Sequence, residues 1–348
     1  MYPEILYPEI EPYWRGMLDV GDGNQVYWEE CGNPRGKPAL VLHGGPGSGC
    51  TPASRRFFDP ARYRVILFDQ RGCGRSTPHA SEPDVDLAAN TTWHLIGDME
   101  LLRAMLGIDR WQLFGASWGS ALAITYAVRH PDRVSELVLA GVSLGRRTET
   151  DLLIRGLGPL FPDAWERFRA GVPESSRDGD LAGAYHRLLF DPDPDVRAKA
   201  AKDWCDWETA VGGAVSPQWR SPGRGADSGA GVPQDTVPTS PRNPRYADPR
   251  FRLAFARIVT HYFGNGSWLE EDMALRHAER LAGIPGVVIQ GRLDLSNLSG
   301  TPWQLVAAWP EAELVLIDDT GHGGSAELAA ARVAATDRFA GAVPVAGQ

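Results

Sequence analysis

The stretch Trp111 to Ser120, WQLFGASWGS, constrains this chain more than any other. An apolar, β-prone run over residues 111–114 meets Gly115-Ala116-Ser117-Trp118-Gly119, and a helix-capable segment over 121–130 follows at once. The central residues fit G-x-S-x-G, a turn so sharp that small residues must flank the serine, leaving its hydroxyl exposed at the carboxyl end of a strand. The pattern alone is common, because Gly and Ser also make ordinary turns. Here a strand precedes it and a helix follows it, which is the context a nucleophile elbow requires.

A chain of 348 residues can bury a large core, and one core with an inserted second unit is expected. The net charge of −9 argues against nucleic acid or an anionic membrane as main partner, since both reward a basic face. The first residues, MYPEILYPEIEPYWRGMLDV, carry Pro and Glu where a signal peptide needs a charged start and a continuous apolar run. No apolar run approaches the roughly 20 residues that span a bilayer. Cys31, Cys50, Cys73 and Cys205 show no C-x-x-C spacing and suggest reduced thiols, so a cytoplasmic location is expected.

Residues 25–31 read as an early antiparallel strand, and 38–43 and 63–68 as buried parallel strands with a weak crossover helix at 52–58 between them. Asn90-Thr91-Thr92 offers caps for a helix over 93–106, and 134–140 forms a further strand after the elbow. The alternation predicts a mostly parallel, doubly wound α/β sheet. After residue 142 the rhythm changes: 151–168, 180–189 and 251–263 read as helices, with a Gly/Pro/Ser-rich excursion at 216–245. The expected organisation is therefore a core over 1–142, an inserted helical cap over 143–276 and the rest of the core over 277–348. Strands at 286–291 and 312–317 and a closing helix at 325–339 complete it.

A serine hydroxyl is a poor nucleophile until an imidazole removes its proton, and the imidazole needs a carboxylate to fix its tautomer. The chain offers Ser117, Asp294 and His322, each at a strand end, in the order expected of an α/β-hydrolase. Asp318 or Asp319 could replace Asp294, but both lie so near His322 that reaching its Nδ1 would contort the loop. An oxyanion hole needs two backbone donors, one after the nucleophile and one from an earlier strand end. Trp118 supplies the first, and the His43-Gly44-Gly45-Pro46-Gly47 turn can supply the second. No H-E-x-x-H, P-loop or dinucleotide-binding spacing is present, and no metal or cofactor is expected.

HGGPG (43–47), DQRGCGRS (69–76), NTTW (90–93), GASWGS (115–120), FPDAWERF (161–168), WCDWE (204–208), HYF (261–263), GRLD (291–294) and AWPEAEL (308–314) occur in this order. Together they resemble the proline iminopeptidases, serine peptidases of the α/β-hydrolase fold. The resemblance spans nearly the whole chain. It implies a catalytic set of Ser117, Asp294 and His322, an oxyanion hole from Gly45 and Trp118, a helical cap and no cofactor. It also implies that a cap carboxylate, Glu208 beside Trp207, binds the free N-terminal amine of a small peptide or amide substrate near Gly44.

Several positions depart from the family pattern. Val259 stands where a second amine-binding acid is usual, Ala140 where an arginine is usual, and Ser143 where an aromatic wall of the proline pocket is usual. GRLD replaces GRYD, and the histidine motif reads Thr320-Gly321-His322-Gly323. The leading expectation is a serine hydrolase that releases an N-terminal residue through an acyl-enzyme on Ser117. The alternative is a divergent hydrolase acting on a larger natural-product amide, ester, lactone or epoxide. A non-catalytic binding protein is disfavoured, since a pure binder gains nothing from a poised nucleophile. Oligomeric state is not legible.

Overall fold

Eight strands build one sheet in the computed structural model, which describes residues 4–213, 243–322 and 324–341. The expected excursion at 216–245 falls outside the described residues as far as 242, as does Gly323. The strands are β1 (Trp14–Asp19), β2 (Gln25–Gly32), β3 (Lys37–Leu42), β4 (Tyr63–Phe68), β5 (Trp111–Ala116), β6 (Val134–Ala140), β7 (Gly286–Gly291) and β8 (Ala312–Ile317). Their order in space is β1-β2-β4-β3-β5-β6-β7-β8. β1 and β2 run antiparallel to their neighbours, and every pairing from β4 to β8 is parallel. The edge strand β1 is the one strand that sequence patterning does not predict, because its residues are mostly exposed and carry little apolar signal.

The first helices are α1 (Thr92–Met105), α2 (Trp118–Arg129), α3 (Arg147–Asp151), α4 (Pro162–Ala170) and α5 (Leu181–Leu189). After them come α6 (Pro194–Gly212), α7 (Pro249–Gly264), α8 (Met273–Arg276), α9 (Gly300–Ala308) and α10 (Ala326–Phe339). Caps set several starts: the Thr91 hydroxyl accepts from the His94 N–H before α1, and the Ser325 hydroxyl accepts from the Leu328 N–H before α10. The single helix expected at 151–168 is instead a π-helical turn (Leu152–Gly156), a 3-10 turn (Gly158–Leu160) and α4. Two glycines and two prolines within eight residues account for the break, since Pro159 and Pro162 lack the N–H that would continue the ladder.

Side chains alternate across the sheet with period two, which divides the core into two layers. Leu40, Leu42, Leu113, Leu137 and Leu139 face α1 and α2, with Leu95, Met99, Leu122 and Tyr126 against them. Ala39, Val41, Phe114, Val138 and Ala140 face the other way, packing with Phe58 and, from α10, Leu328 and Ala335.

Among the described residues, the chain between β6 and β7 is helical and has its own apolar cluster, with Phe168, Tyr185, Trp204 and Trp207 at its centre. Helix α7 joins this layer to the sheet by carrying two stripes. Ala254, Ile258 and Tyr262, at i, i+4 and i+8, pack into the sheet's core, while Phe255 and Val259, one position on, pack into the helical cluster. Arg257 pins the junction. Its buried guanidinium donates to the carbonyls of Leu189, Ala80 and Glu82 and lies over the Phe190 ring.

Candidate active site

Five strand ends come to one level of the sheet. The register pairs Leu42 with Gly115, Ala116 with Ala140 and Gly291 with Ile317. The loops leaving β3, β5, β6, β7 and β8 therefore start side by side, where chemistry sits in open α/β sheets.

Ser117 occupies the turn between β5 and α2 with φ 54° and ψ −127°. A non-glycine residue held there stores about 1–3 kcal/mol of strain, which the surroundings must over-determine. Both flanking glycines are steric necessities: a Cβ on Gly115 would run into the Gly119 carbonyl, and one on Gly119 into the Leu42 carbonyl. Hydrogen bonds lock the turn. The Ser117 N–H donates to the Ala140 carbonyl at 3.0 Å, and the Ser120 hydroxyl donates to the Ser117 carbonyl at 2.6 Å while accepting from the Ser143 N–H at 3.0 Å. Ser120 is not among the residues expected from the sequence; its place as the second serine of GASWGS is the signal that points to it.

Asp294, after β7, and His322, after β8, meet: Nδ1 of the ring is 2.9 Å from Oδ2 of the carboxylate. Oδ1 accepts from the N–H groups of Ser296 and Asn297, at 3.0 and 2.9 Å. The Asn297 side chain in turn donates to the Gly141 carbonyl at 2.8 Å, tying this loop to the end of β6. Asp318 is exposed and pairs with Arg292, and Asp319 is exposed, so the geometry selects Asp294 as the partner of Nδ1. Burial opposes a charged imidazole, yet the charge and hydrogen bond of Asp294, helped by Glu208, lift His322 above the ordinary imidazole value.

The turn after β3 comes against the serine. A Cβ on Gly44 would lie 3.2 Å from Ser117 Cβ and 3.8 Å from its Oγ, so glycine there permits close approach. The Gly44 carbonyl accepts from the Ser48 N–H at 3.1 Å, which turns the Gly45 N–H to the opposite side of a planar trans peptide. Trp118 is the first residue of α2, and the first turn of a helix leaves its N–H groups free.

Glu208 lies on α6, enclosed by protein yet keeping partial access to water, as His322 does; each acts electrostatically on the other. Burial raises its carboxyl to about 7, against the opposing charge of His322.

Of the remaining candidates, Trp207, Val259 and Ala140 are enclosed in apolar layers, and Ser143 adjoins the serine turn through its N–H. Trp207 donates its indole N–H to the Leu153 carbonyl at 3.1 Å and stacks on Phe168, inside the helical cluster. Val259 is fully buried on the α7 stripe that faces this cluster, and Ala140 is buried on the sheet face covered by α10. Neither side chain reaches a water-accessible wall, because helical and strand periodicity turn both away from it. The Ser143 hydroxyl donates to Glu149 at 2.9 Å, which ties it to the start of α3.

The model of the α/β hydrolase fold family matches residues 37–327. A probable proline iminopeptidase of Streptomyces coelicolor is 53% identical over 340 residues, covering 96% of this chain and 98% of the relative. The chain belongs to the proline iminopeptidase family. As a member it is a hydrolase, and its parallel sheet with the serine turn after β5 is the family's fold. A second family member, the proline iminopeptidase of Xylella fastidiosa, is 46% identical over 337 residues, covering 96% of this chain and 99% of that one. Among solved structures, the proline iminopeptidase of Mycobacterium smegmatis superposes with a TM-score of 0.55 at 20% identity, covering 94% of this chain and 99% of that one. That likeness speaks to the fold alone.

Proposed function

We propose that this chain is a proline iminopeptidase that removes an N-terminal residue, proline foremost, from small peptides or amides. His322 takes the proton of Ser117 as its Oγ attacks the carbonyl carbon, and Asp294 holds the imidazole with its proton on Nδ1. The developing oxyanion is received by the N–H groups of Gly45 and Trp118. His322 then gives its proton to the leaving amine, and water attacks the acyl-enzyme by the same route to release the free residue.

The observation that carries this reading is Glu208, an enclosed carboxylate whose electrostatic partners among the described residues are the His322 ring and the Trp204 indole, with no Lys or Arg among them. Such a group gains stability when an ammonium enters, which is what a free N-terminus provides. The helices between β6 and β7 serve as a cap over the site, with Gly44 bounding the substrate. The enzyme acts in the cytoplasm, a reading supported by four cysteines without a disulfide among them.

The test is hydrolysis of prolyl and alanyl 7-amido-4-methylcoumarin beside their N-acetylated forms. Free-amine substrates should be turned over at least about a hundredfold faster in kcat/KM, the worth of one buried ion pair. Preference for blocked over free amines would instead select a larger amide, ester or lactone as substrate.

A further inference from the structure

Gln70 is a buried polar side chain to which the mechanism above gives no task. Gln70 follows β4, is 2% exposed, and touches both strand ends that carry the oxyanion-hole donors. Its side-chain amide donates to the His43 carbonyl at 3.0 Å and accepts from the Trp118 indole N–H at 3.1 Å. Its own main-chain N–H points at His43 Nε2, 3.0 Å away.

We infer that Gln70 is a positioning residue for the oxyanion hole, setting the Gly45 and Trp118 donors together. The inference rests on the oxyanion-hole reading given under Proposed function.

The first half runs through His43. A main-chain N–H can only donate, so Nε2 of His43 must accept, and burial keeps the ring neutral. Its single proton is therefore on Nδ1, whose acceptor is the Gly44 carbonyl at 3.0 Å. The opposite tautomer would serve the Gly49 N–H, 3.2 Å from Nδ1, and Cys73 Sγ, 3.5 Å from Nε2, whereas the Nδ1–H tautomer satisfies the two shorter contacts, to Gln70 and Gly44. The Gly44 carbonyl is thereby held by His43 as well as by Ser48, and the Gly44–Gly45 peptide cannot flip its N–H inward. The side-chain amide of Gln70 adds a tether on the carbonyl of His43 itself.

The second half runs through Trp118. Its indole is clamped by Gln70 on one side and by the edge of Tyr262, with ring centroids 4.9 Å apart, on the other. This fixes the side chain of the residue whose N–H follows the nucleophile. One amide thus ties β3, β4 and α2 at the point where two donors must converge, and an error of about 1 Å in such a constellation costs roughly a hundredfold in rate.

The experiment compares Gln70→Met, which keeps volume and main chain but removes both side-chain bonds, with Trp118→Phe, which removes the indole donor along with part of the ring but leaves the Gln70–His43 bond. Steady-state kinetics on a prolyl amide are read together with inhibition by prolyl boronic acid, whose tetrahedral adduct occupies the hole, and by free proline, which does not form one. Gln70→Met should lower kcat about 10–100-fold with KM within twofold, and weaken the boronic acid by the same factor while leaving proline unchanged. Trp118→Phe should move the same quantities less, and the double variant should fall short of additivity. Wild-type kcat and boronic acid affinity in folded Gln70→Met overturn the inference. If that variant does not fold, an unchanged kcat and boronic acid affinity in Trp118→Phe overturns it equally. Ser117→Ala separates the two levels: retained activity there defeats the site reading itself, whereas its loss beside an unaffected Gln70→Met defeats only the role given to Gln70.

Discussion

His322 Nδ1 lies 2.9 Å from Asp294 Oδ2, while the other carboxylate oxygen is saturated by the N–H groups of Ser296 and Asn297. The carboxylate is thus fixed by its own loop before the imidazole arrives, and the ring has one orientation available. Asp294→Asn would keep the shape but present an amide that competes for the wrong tautomer. A fall in kcat of about 10⁴-fold is expected, with folding retained by circular dichroism.

The two raised groups define the pH profile. His322 must be neutral to accept a proton, and its value is lifted by Asp294 and Glu208 against burial, so activity should rise only above the ordinary imidazole range. Glu208 must be ionised to hold an ammonium, and burial places it at about 7, so its contribution is present above that pH and lost as pH falls through it. Each acts electrostatically on the other. For a free-amine substrate kcat/KM should be bell-shaped, its alkaline limb set by the substrate amine near about 8. An N-acetylated substrate should show the acid limb alone, which stopped-flow or plate kinetics from pH 5 to about 9.5 would resolve.

Glu208→Gln removes the charge while keeping volume. For free-amine substrates kcat/KM should drop about a hundredfold or more, carried mainly by KM, while turnover of an N-acetylated ester changes less than about threefold. Equal losses on both substrates would remove Glu208 from amine recognition.

Two glycines should respond oppositely to alanine. On Gly119 a Cβ meets the Leu42 carbonyl, and the turn must open, so Gly119→Ala should cost several kcal/mol and abolish activity. Gly97 is exposed in α1 with nothing near its would-be Cβ, so Gly97→Ala should stabilise by about 1 kcal/mol through helix propensity. Thermal denaturation of both variants checks the pair.

Patterning that is local in the chain is legible from the sequence alone. Alternation of apolar runs and helical stretches announced the parallel sheet, and GASWGS announced the elbow, because Gly115 answers a steric demand arising within five residues, although Gly119 also answers one from the distant Leu42 carbonyl. The strand-end positions of Asp294 and His322 followed from the same rhythm. The break of 151–168 into shorter turns was written in its glycines and prolines but masked by their apolar neighbours.

What lies beyond that reach depends on which way a side chain points once elements pack. The substitutions at Ala140 and Val259 were readable as changes in residue type, yet only the sheet's period of two and the twin stripes of α7 decided that both are enclosed in apolar layers. The electrostatic influence of Glu208 on His322 spans more than a hundred residues of chain. Likewise Gln70 stood in a quoted motif, but nothing in DQRGCGRS says that its amide joins His43 to Trp118. The sequence by itself determined the chemistry available at Ser117, since turns, strands and order follow from local sterics and periodicity. The tertiary structure decided how that chemistry is aimed, since hydrogen bonds between distant segments exist only after the segments have been packed.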